Sequence, residues 1–200
     1  EKGESAPTLP DQSPRLPGVD KGPIFELRIY AANENRHGHL IKRFRNHTDR
    51  LFKKHKMEPI GYWLPIDGTP RQHRKFVYLL KHPSRYAAYK NWNAFSNDRE
   101  WEAVLDQPEF RGLLSERPIS IFMTANDYSA KVRNPIAKAG GIYELRTYTA
   151  NPGKLDYLNA RFRNHTTRIF NRHEIGNIGY WTPFDKSESG DTLIYLIHHA

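Results

Sequence analysis

The chain has 200 residues, 38% of them hydrophobic and 12% aromatic, which suffices for one ordinary domain or two small ones with a real core. It has no cysteine, which excludes disulfides, thiolate metal sites and cysteine nucleophiles. The net charge of +9 is compatible with an anionic partner, although a solvated helix face is the commoner cause of such a charge. No run approaches the roughly 18 apolar residues of a membrane-spanning helix, so none is predicted.

Residues 1–23 are rich in proline, glycine and serine and have no hydrophobic period, so they are predicted to form a flexible leader. The chain has no initiator methionine and no signal-like apolar stretch. These features favour a processed protein that is exported or targeted to an organelle over a cytoplasmic one. Residues 129–141 have a similar composition and are predicted to be a linker.

The sequence pattern of residues 24–128 predicts one β-α-β-β-α-β unit. "IFELRIY" (24–30) alternates as a strand does, and the apolar residues between 36 and 56 follow helical spacing. Ser84 is suited to cap the start of a second long helix. The remaining elements are predicted to be strands at 59–64, 75–80 and 118–127, a helix at 84–95 and a helical stretch at 98–105.

The second half of the chain repeats the first. Residues 25–67 align with 143–185 without a gap, and about half of the paired residues are identical. After a one-residue deletion, "FVYLL" (76–80) matches "LIYLI" (193–197). A second unit is therefore predicted at 142–200. By analogy with the first unit it lacks a second helix and a last strand. Either the natural chain is longer or another polypeptide completes the unit, and the first alternative is favoured.

Two segments carry a family resemblance: "YELRTYTANPGKLDYLNARFRNHTTRIFNRHEIGNIGYW" (143–181) and "SRYAAYKNWNAFSNDREWEAV" (84–104). Both are similar to the NIPSNAP family, and the likeness extends over everything after residue 23. It departs at 33–39, where "NENRHGH" replaces the turn that 151–154 keep. The resemblance implies an α+β fold of ferredoxin-like βαββαβ units in tandem, whose sheets join as a dimeric α/β-barrel. The barrel would close as an internal pseudo-dimer or by self-association. The family's unsettled activity implies no reaction.

A charged stripe on the first strand of each unit is the main candidate site. Successive strand residues point to opposite faces, so Glu, Arg and Tyr of "FELRIY" and "YELRTY" share one face. If the alternate apolar face packs under the helix, the stripe lines the barrel interior, as either a structural ion pair or a ligand site. The candidate ligand-binding residues are Glu26, Arg28, Tyr30, Glu144, Arg146 and Tyr148.

Four further residues are secondary candidates. His47 and His165 fall near the middle of the apolar stripe of the first helix in each unit, where hydrogen-bonded packing is commoner than a base or ligand. Trp63 and Trp181 follow a tyrosine in "GYW", so one ring of each pair enters the helix layer and the other the barrel. No metal centre and no cofactor are predicted.

Two functions remain open at this point. The first is a binding or assembly module that holds a small-molecule ligand in the barrel. The second is a cofactor-independent, monooxygenase-like enzyme, which rests on analogy of fold. An enclosed pocket with an unpaired polar group beside the stripe would favour a site. No nucleic-acid partner is predicted, because "FVYLL" lacks the basic and glycine residues of RNA-binding sheets.

Overall fold

A computed structural model describes residues 22–132, 140–184 and 190–200. Most of the predicted leader (1–23) and most of the predicted linker (129–141) lie outside these residues. The chain forms two compact units that divide between Ser120 and Ile121. Within the described ranges, no helix combines the length and the apolar character that crossing a bilayer requires.

The first unit follows the predicted β-α-β-β-α-β order. Its strands are β1 (Ile24–Ala31), β2 (Glu58–Trp63) and β3 (Lys75–His82), with β3 antiparallel to both of the others. Its helices are α1 (His37–Arg43), α2 (Asp49–Lys54), α3 (Pro70–His73), α4 (Arg85–Ser96) and α5 (Arg99–Asp106). A π-helical turn (Phe44–Thr48) joins α1 to α2, and a 3-10 turn (Pro108–Phe110) follows α5. Strand β4 (Ile119–Ala125) crosses the division between the units.

The second unit repeats the first half of this plan. It contains β5 (Ile142–Thr149), α6 (Leu155–Arg161), a π-helical turn (Phe162–Thr166), α7 (Thr167–Arg172), β6 (Gly176–Pro183) and β7 (Thr192–His199). β7 is antiparallel to β5 and β6, and β6 also pairs with β4, where Ala125 lies opposite Trp181. The predicted α+β class with ferredoxin-like units is therefore confirmed.

Side-chain caps fix where α4 and α5 begin. The hydroxyl oxygen of Ser84 accepts a hydrogen bond from the N–H of Ala87 at 3.1 Å, as the sequence predicts for the start of α4. A carboxylate oxygen of Asp98 accepts from the N–H of Glu100 at 2.8 Å at the start of α5. Such caps satisfy N–H groups that have no partner inside the helix.

The helices of the first unit pack on the face of β1 and β3 that carries Tyr30 and Tyr78. Tyr30 contacts Phe44, Tyr78 contacts Phe52, and Phe52 in turn contacts Trp92, all within one aromatic core. The expectation that the apolar residues of β1 lie under the helices was wrong: the charged stripe lies there instead. Because β1 is buried on both faces, its alternation does not reveal which face the helices cover.

A π-helical turn changes the register of the first long helix. The N–H of Asp49 bonds to the carbonyl of Phe44, five residues back, and the Thr48 hydroxyl donates to the carbonyl of Arg43 at 3.3 Å. Wider turns rotate the following residues away from the 100° spacing of an α-helix. Thr48, at the end of the turn, is buried, while His47 lies half-buried. The placement of His47 in the middle of the apolar stripe was wrong.

Candidate functional site

Glu26 lies at the centre of a buried polar cluster in the first unit. Its Oε1 accepts hydrogen bonds from Arg28 at 3.1 Å and from the Ser120 hydroxyl at 2.7 Å. Its Oε2 accepts from the indole N–H of Trp92 at 2.7 Å and lies 3.0 Å from Nε2 of His82. A carboxylate has about four acceptor positions, so all of those of Glu26 are used. None remains for a ligand.

Arg28 extends the cluster along β1. Its guanidinium donates to the hydroxyl of Tyr30 at 3.1 Å, and that hydroxyl also accepts from Tyr78 at 2.9 Å. The same guanidinium lies over the ring of Trp92, 4.7 Å from its centroid, in a cation–π contact. Its Nε has no hydrogen-bond partner among the described residues. Only 4% of the Arg28 side chain and none of the Glu26 side chain is accessible.

These contacts keep the cluster charged. Burial alone would raise the pKa of Glu26, but the hydrogen bond with His82 and the charge of Arg28 outweigh it and lower the pKa to about 2. Burial likewise opposes the charge of Arg28, whereas Tyr30, Tyr78 and Glu26 raise its pKa well above the usual range. A paired, saturated and permanently charged set has the properties of a structural ion pair. This geometry favours the structural alternative over a ligand site in the first unit.

The antiparallel register of β1 and β3 assembles the cluster. Tyr78 lies opposite Arg28, and His82 lies opposite Ile24, which brings the ends of both strands together. Residues two apart on β1 share a face, so Glu26 and Arg28 point to the same side. Helix α4 carries Trp92, whose indole N–H donates a hydrogen bond to Glu26.

The second unit repeats the cluster on β5 and β7. Arg146 donates to Oε1 of Glu144 at 2.6 Å and to the hydroxyl of Tyr148 at 3.1 Å. Nε2 of His199 lies 3.1 Å from Oε2 of Glu144. The hydrogen bond from Tyr195 lowers the pKa of Tyr148, and the charge of Arg146 acts in the same direction. The five residues therefore match Glu26, Arg28, Tyr30, Tyr78 and His82 in type and arrangement.

Exposure distinguishes the two copies. The accessible fraction of the side chain is 39% for Glu144, 41% for Arg146 and 39% for His199, against 0–4% for their counterparts in the first unit. Within the described residues of the second unit, no helix corresponds to α4 and no tryptophan contacts Glu144. Half of the stripe is thus a closed core and half is an open surface.

The four secondary candidates lie on β2, β6 and the two π-helical turns, which are different elements from those of the clusters. The ring of His47 contacts Phe110 at 5.6 Å between centroids, and His165 is exposed on the π-helical turn of the second unit. Each tryptophan of "GYW" lies across the glycine two residues before it, Trp63 over Gly61 and Trp181 over Gly179. The described residues contain no group of three or more histidine or acidic side chains that could hold a metal ion.

Sequence reasoning missed three partners of Glu26: His82, Trp92 and Ser120. One signal was present for the first of them. The aligned strands "FVYLL" and "LIYLI" continue as Lys-His and His-His, so His82 and His199 keep the spacing of the repeat. Trp92 and Ser120 reach Glu26 only through tertiary contacts, across 66 and 94 residues.

The fold and the duplicated stripe define a tandem ferredoxin-like protein of α+β class. The sequence model of one family, NIPSNAP, matches residues 25–129 and 143–199. The chain therefore belongs to the NIPSNAP family. No match was found among curated proteins.

Solved structures resemble the chain at low sequence identity. A NIPSNAP family protein of unknown function from Agrobacterium tumefaciens is 18% identical over 56% of this chain and 96% of its own, with a TM-score of 0.49. A candidate monooxygenase from Fusobacterium nucleatum is 10% identical over 88% of this chain and 76% of its own, with a TM-score of 0.56. Another from Lactobacillus acidophilus is 9% identical over 88% and 77%, with a TM-score of 0.53. The latter two likenesses agree with the predicted dimeric α/β-barrel class.

Proposed function

We propose that this protein is a binding module whose receptor surface is the open polar cluster of the second unit. The ligand is a planar aromatic group that carries an N–H donor. One observation carries the proposal: in the first unit the same cluster is filled by such a group, the indole of Trp92. In the second unit the cluster is accessible.

The chemistry of the open cluster supports this ligand class. Among the described residues, the carboxylate of Glu144 makes hydrogen-bond contacts with Arg146 and His199. The carboxylate of Glu26 makes the equivalent contacts and also accepts hydrogen bonds from an indole N–H and a hydroxyl. A donor to a carboxylate is worth about 1.5–3 kcal/mol when it is well shielded. The guanidinium of Arg146, held between Glu144 and Tyr148, offers a flat cationic face for stacking.

The first test is a titration with 3-methylindole, the side chain of tryptophan as a free molecule. We expect saturable binding, followed by NMR chemical-shift changes at Tyr148 and His199. Binding should weaken about tenfold when the N–H is replaced in 1,3-dimethylindole, because a charge-assisted hydrogen bond is lost. The substitution Glu144→Gln should weaken the binding of 3-methylindole by a similar factor.

A matched substitution controls for surface charge. Glu100 is also a half-exposed glutamate paired with an arginine, Arg50, but it lies on α5 of the first unit. Glu100→Gln should leave binding of 3-methylindole unchanged. Equal binding of the two indoles, or no saturable binding of either, would refute the proposal.

The alternative, a cofactor-independent monooxygenase-like enzyme, rests on likeness of fold. Two structural neighbours carry that description, but at about 10% identity such a likeness extends to the fold and not to a reaction. The lowered pKa of Tyr148 is the feature of the open cluster that comes nearest to a catalytic base. A binding module requires only the open polar cluster, whereas an enzyme would also require groups that carry out a reaction.

A further inference from the structure

The hydroxyl of Tyr148 in the open polar cluster still has a proton to donate. Its oxygen accepts hydrogen bonds from Arg146, at 3.1 Å, and from Tyr195. A phenol oxygen has two acceptor positions and one O–H, so both acceptor positions are used. Among the described residues none accepts the O–H of Tyr148, whose side chain is half-buried. This O–H can therefore donate to a ligand that enters the cluster.

The two accepted bonds make this O–H a stronger donor. The hydrogen bond from Tyr195 lowers the pKa of Tyr148, burial opposes that change, and the charge of Arg146 lowers the pKa further. A hydroxyl that accepts hydrogen bonds is polarised by them, and so it donates its own proton more strongly. The partner that suits it best is a good acceptor, such as a carbonyl oxygen.

The open cluster forms a row along β5, in the order glutamate, arginine and tyrosine, because residues two apart on a strand share a face. In the first unit the N–H of Trp92 bonds to Glu26 at 2.7 Å, while its ring lies over Arg28. The ring thus extends from the glutamate over the arginine, in the direction of the tyrosine. A ligand that binds the second unit in the same way has the edge opposite its N–H on the side of Tyr148.

We infer that the ligand carries a carbonyl oxygen on the edge opposite its N–H, and that Tyr148 selects this ligand by donating a hydrogen bond to that oxygen. The inference rests on the proposed function, because it uses the same receptor surface and the same contact between the N–H and Glu144. It adds the chemical class of the ligand: a small planar heteroaromatic carbonyl compound, such as a 3-acylindole.

An unsubstituted indole leaves the tyrosine end of the cluster to water. Indole is a hydrogen-bond donor only, so it has no atom that accepts the proton of Tyr148. A carbonyl oxygen on the far edge adds one hydrogen bond, which changes affinity by up to about tenfold. The guanidinium of Arg146 bonds to the same hydroxyl, and its positive charge also favours a partly negative oxygen there. An apolar edge gains neither contribution.

The experiment compares two indoles of similar shape, 3-methylindole and indole-3-carboxaldehyde, of which only the second has a carbonyl oxygen opposite the N–H. Both dissociation constants are measured by NMR titration of the 200-residue protein. We expect the aldehyde to bind about tenfold more tightly. Tyr148→Phe keeps the ring, which contacts Phe162 and Tyr195, and removes only the hydroxyl. In this variant the ratio of the two constants should approach one, and circular dichroism checks that it folds.

A matched substitution and a second readout accompany this test. Tyr157 is also an accessible tyrosine of the second unit, but it lies on α6, so Tyr157→Phe should leave the ratio unchanged. The orientation of the bound aldehyde needs no variant. Intermolecular NOEs should join its formyl proton to Tyr148, and the proton beside the nitrogen on its six-membered ring to His199. The reverse pairing would overturn the inference.

The outcomes separate the two proposals. If 3-methylindole binds and the aldehyde binds no more tightly, the carbonyl inference is wrong and the binding module stands. The same holds if the preference persists in Tyr148→Phe, because it then comes from the more acidic N–H of the aldehyde. If neither indole binds, both proposals fail. A preference that Tyr148→Phe removes and Tyr157→Phe keeps supports both.

Discussion

Glu26 and Glu144 are the same residue of the repeat in two environments. Both pair with an arginine two residues later and with a histidine on the neighbouring strand. Only Glu26 is fully buried, and only Glu26 accepts a tryptophan N–H. A buried charge that loses its partner costs far more than an exposed one, because no water replaces the partner.

Glu26→Gln should destabilise the protein strongly. The substitution keeps the shape of the side chain but leaves the guanidinium of Arg28 buried without a counter-charge. We expect a loss of about 3–5 kcal/mol in the free energy of unfolding. Urea denaturation followed by tryptophan fluorescence measures it, since Trp63, Trp92 and Trp101 all lie in the first unit.

Glu144→Gln is the control for that experiment. Its ion pair with Arg146 is about 40% accessible, and exposed pairs contribute about 0–1 kcal/mol. We expect a change within that range. Equal losses for the two substitutions would show that burial does not set the importance of Glu26.

At the scale of single elements, "GYW" on β2 depends on close contact within the strand. Gly61 and Trp63 lie on one face, and a Cβ at Gly61 would lie 2.6 Å from the indole of Trp63. Gly61→Ala should therefore force the ring aside and cost about 1–2 kcal/mol. In a Trp63→Leu background the same substitution should be neutral or stabilise by about 0.5 kcal/mol, because glycine is unfavourable inside a strand.

Urea denaturation of the four proteins in this double-mutant cycle measures the coupling between the two residues. A coupling near zero would mean that the glycine serves the backbone and not the indole. The same contact recurs between Gly179 and Trp181 on β6, so the glycine of the motif makes room for the ring in both units.

Most elements could be predicted from the sequence, but their faces could not. Alternation located β1, helical spacing located α1 and α2, and Ser84 located the start of α4. The helix-covered face of β1 could not be predicted, because both faces are buried. His47 was misplaced because a helical wheel assumes constant 100° steps, which the π-helical turn interrupts.

The sequence predicted the residues of the candidate site on the first strand of each unit, but not what surrounds them. The strand pattern identified the Glu-Arg-Tyr stripe, whose members hydrogen-bond in sequence along β1 and β5. What each stripe faces depends on α4, which comes from a distant part of the chain. The accessibility of Glu144, Arg146 and His199, in contrast to the buried first stripe, is visible only in three dimensions, and it carries the proposed function.

At the scale of the whole molecule, the two units should respond differently to acid. A glutamate usually has a pKa of 4.5, and in the folded first unit the pKa of Glu26 is about 2. A lowered pKa contributes stability that is present above the usual value and is lost as the pH falls towards the folded value. Asp98, Glu100 and Glu109 of the same unit also have lowered pKa values, caused first by hydrogen bonds from lysine or arginine.

We therefore expect the first unit to lose stability between about pH 5 and pH 2, with Glu26 as its main buried contributor. Urea denaturation at a series of pH values, followed by tryptophan fluorescence, measures the slope. Glu26→Gln should flatten it, because the group that takes up the proton is gone. Glu144→Gln should leave it nearly unchanged, since solvent screens that exposed pair. An unchanged slope in Glu26→Gln would assign the acid sensitivity to Asp98, Glu100 and Glu109 instead.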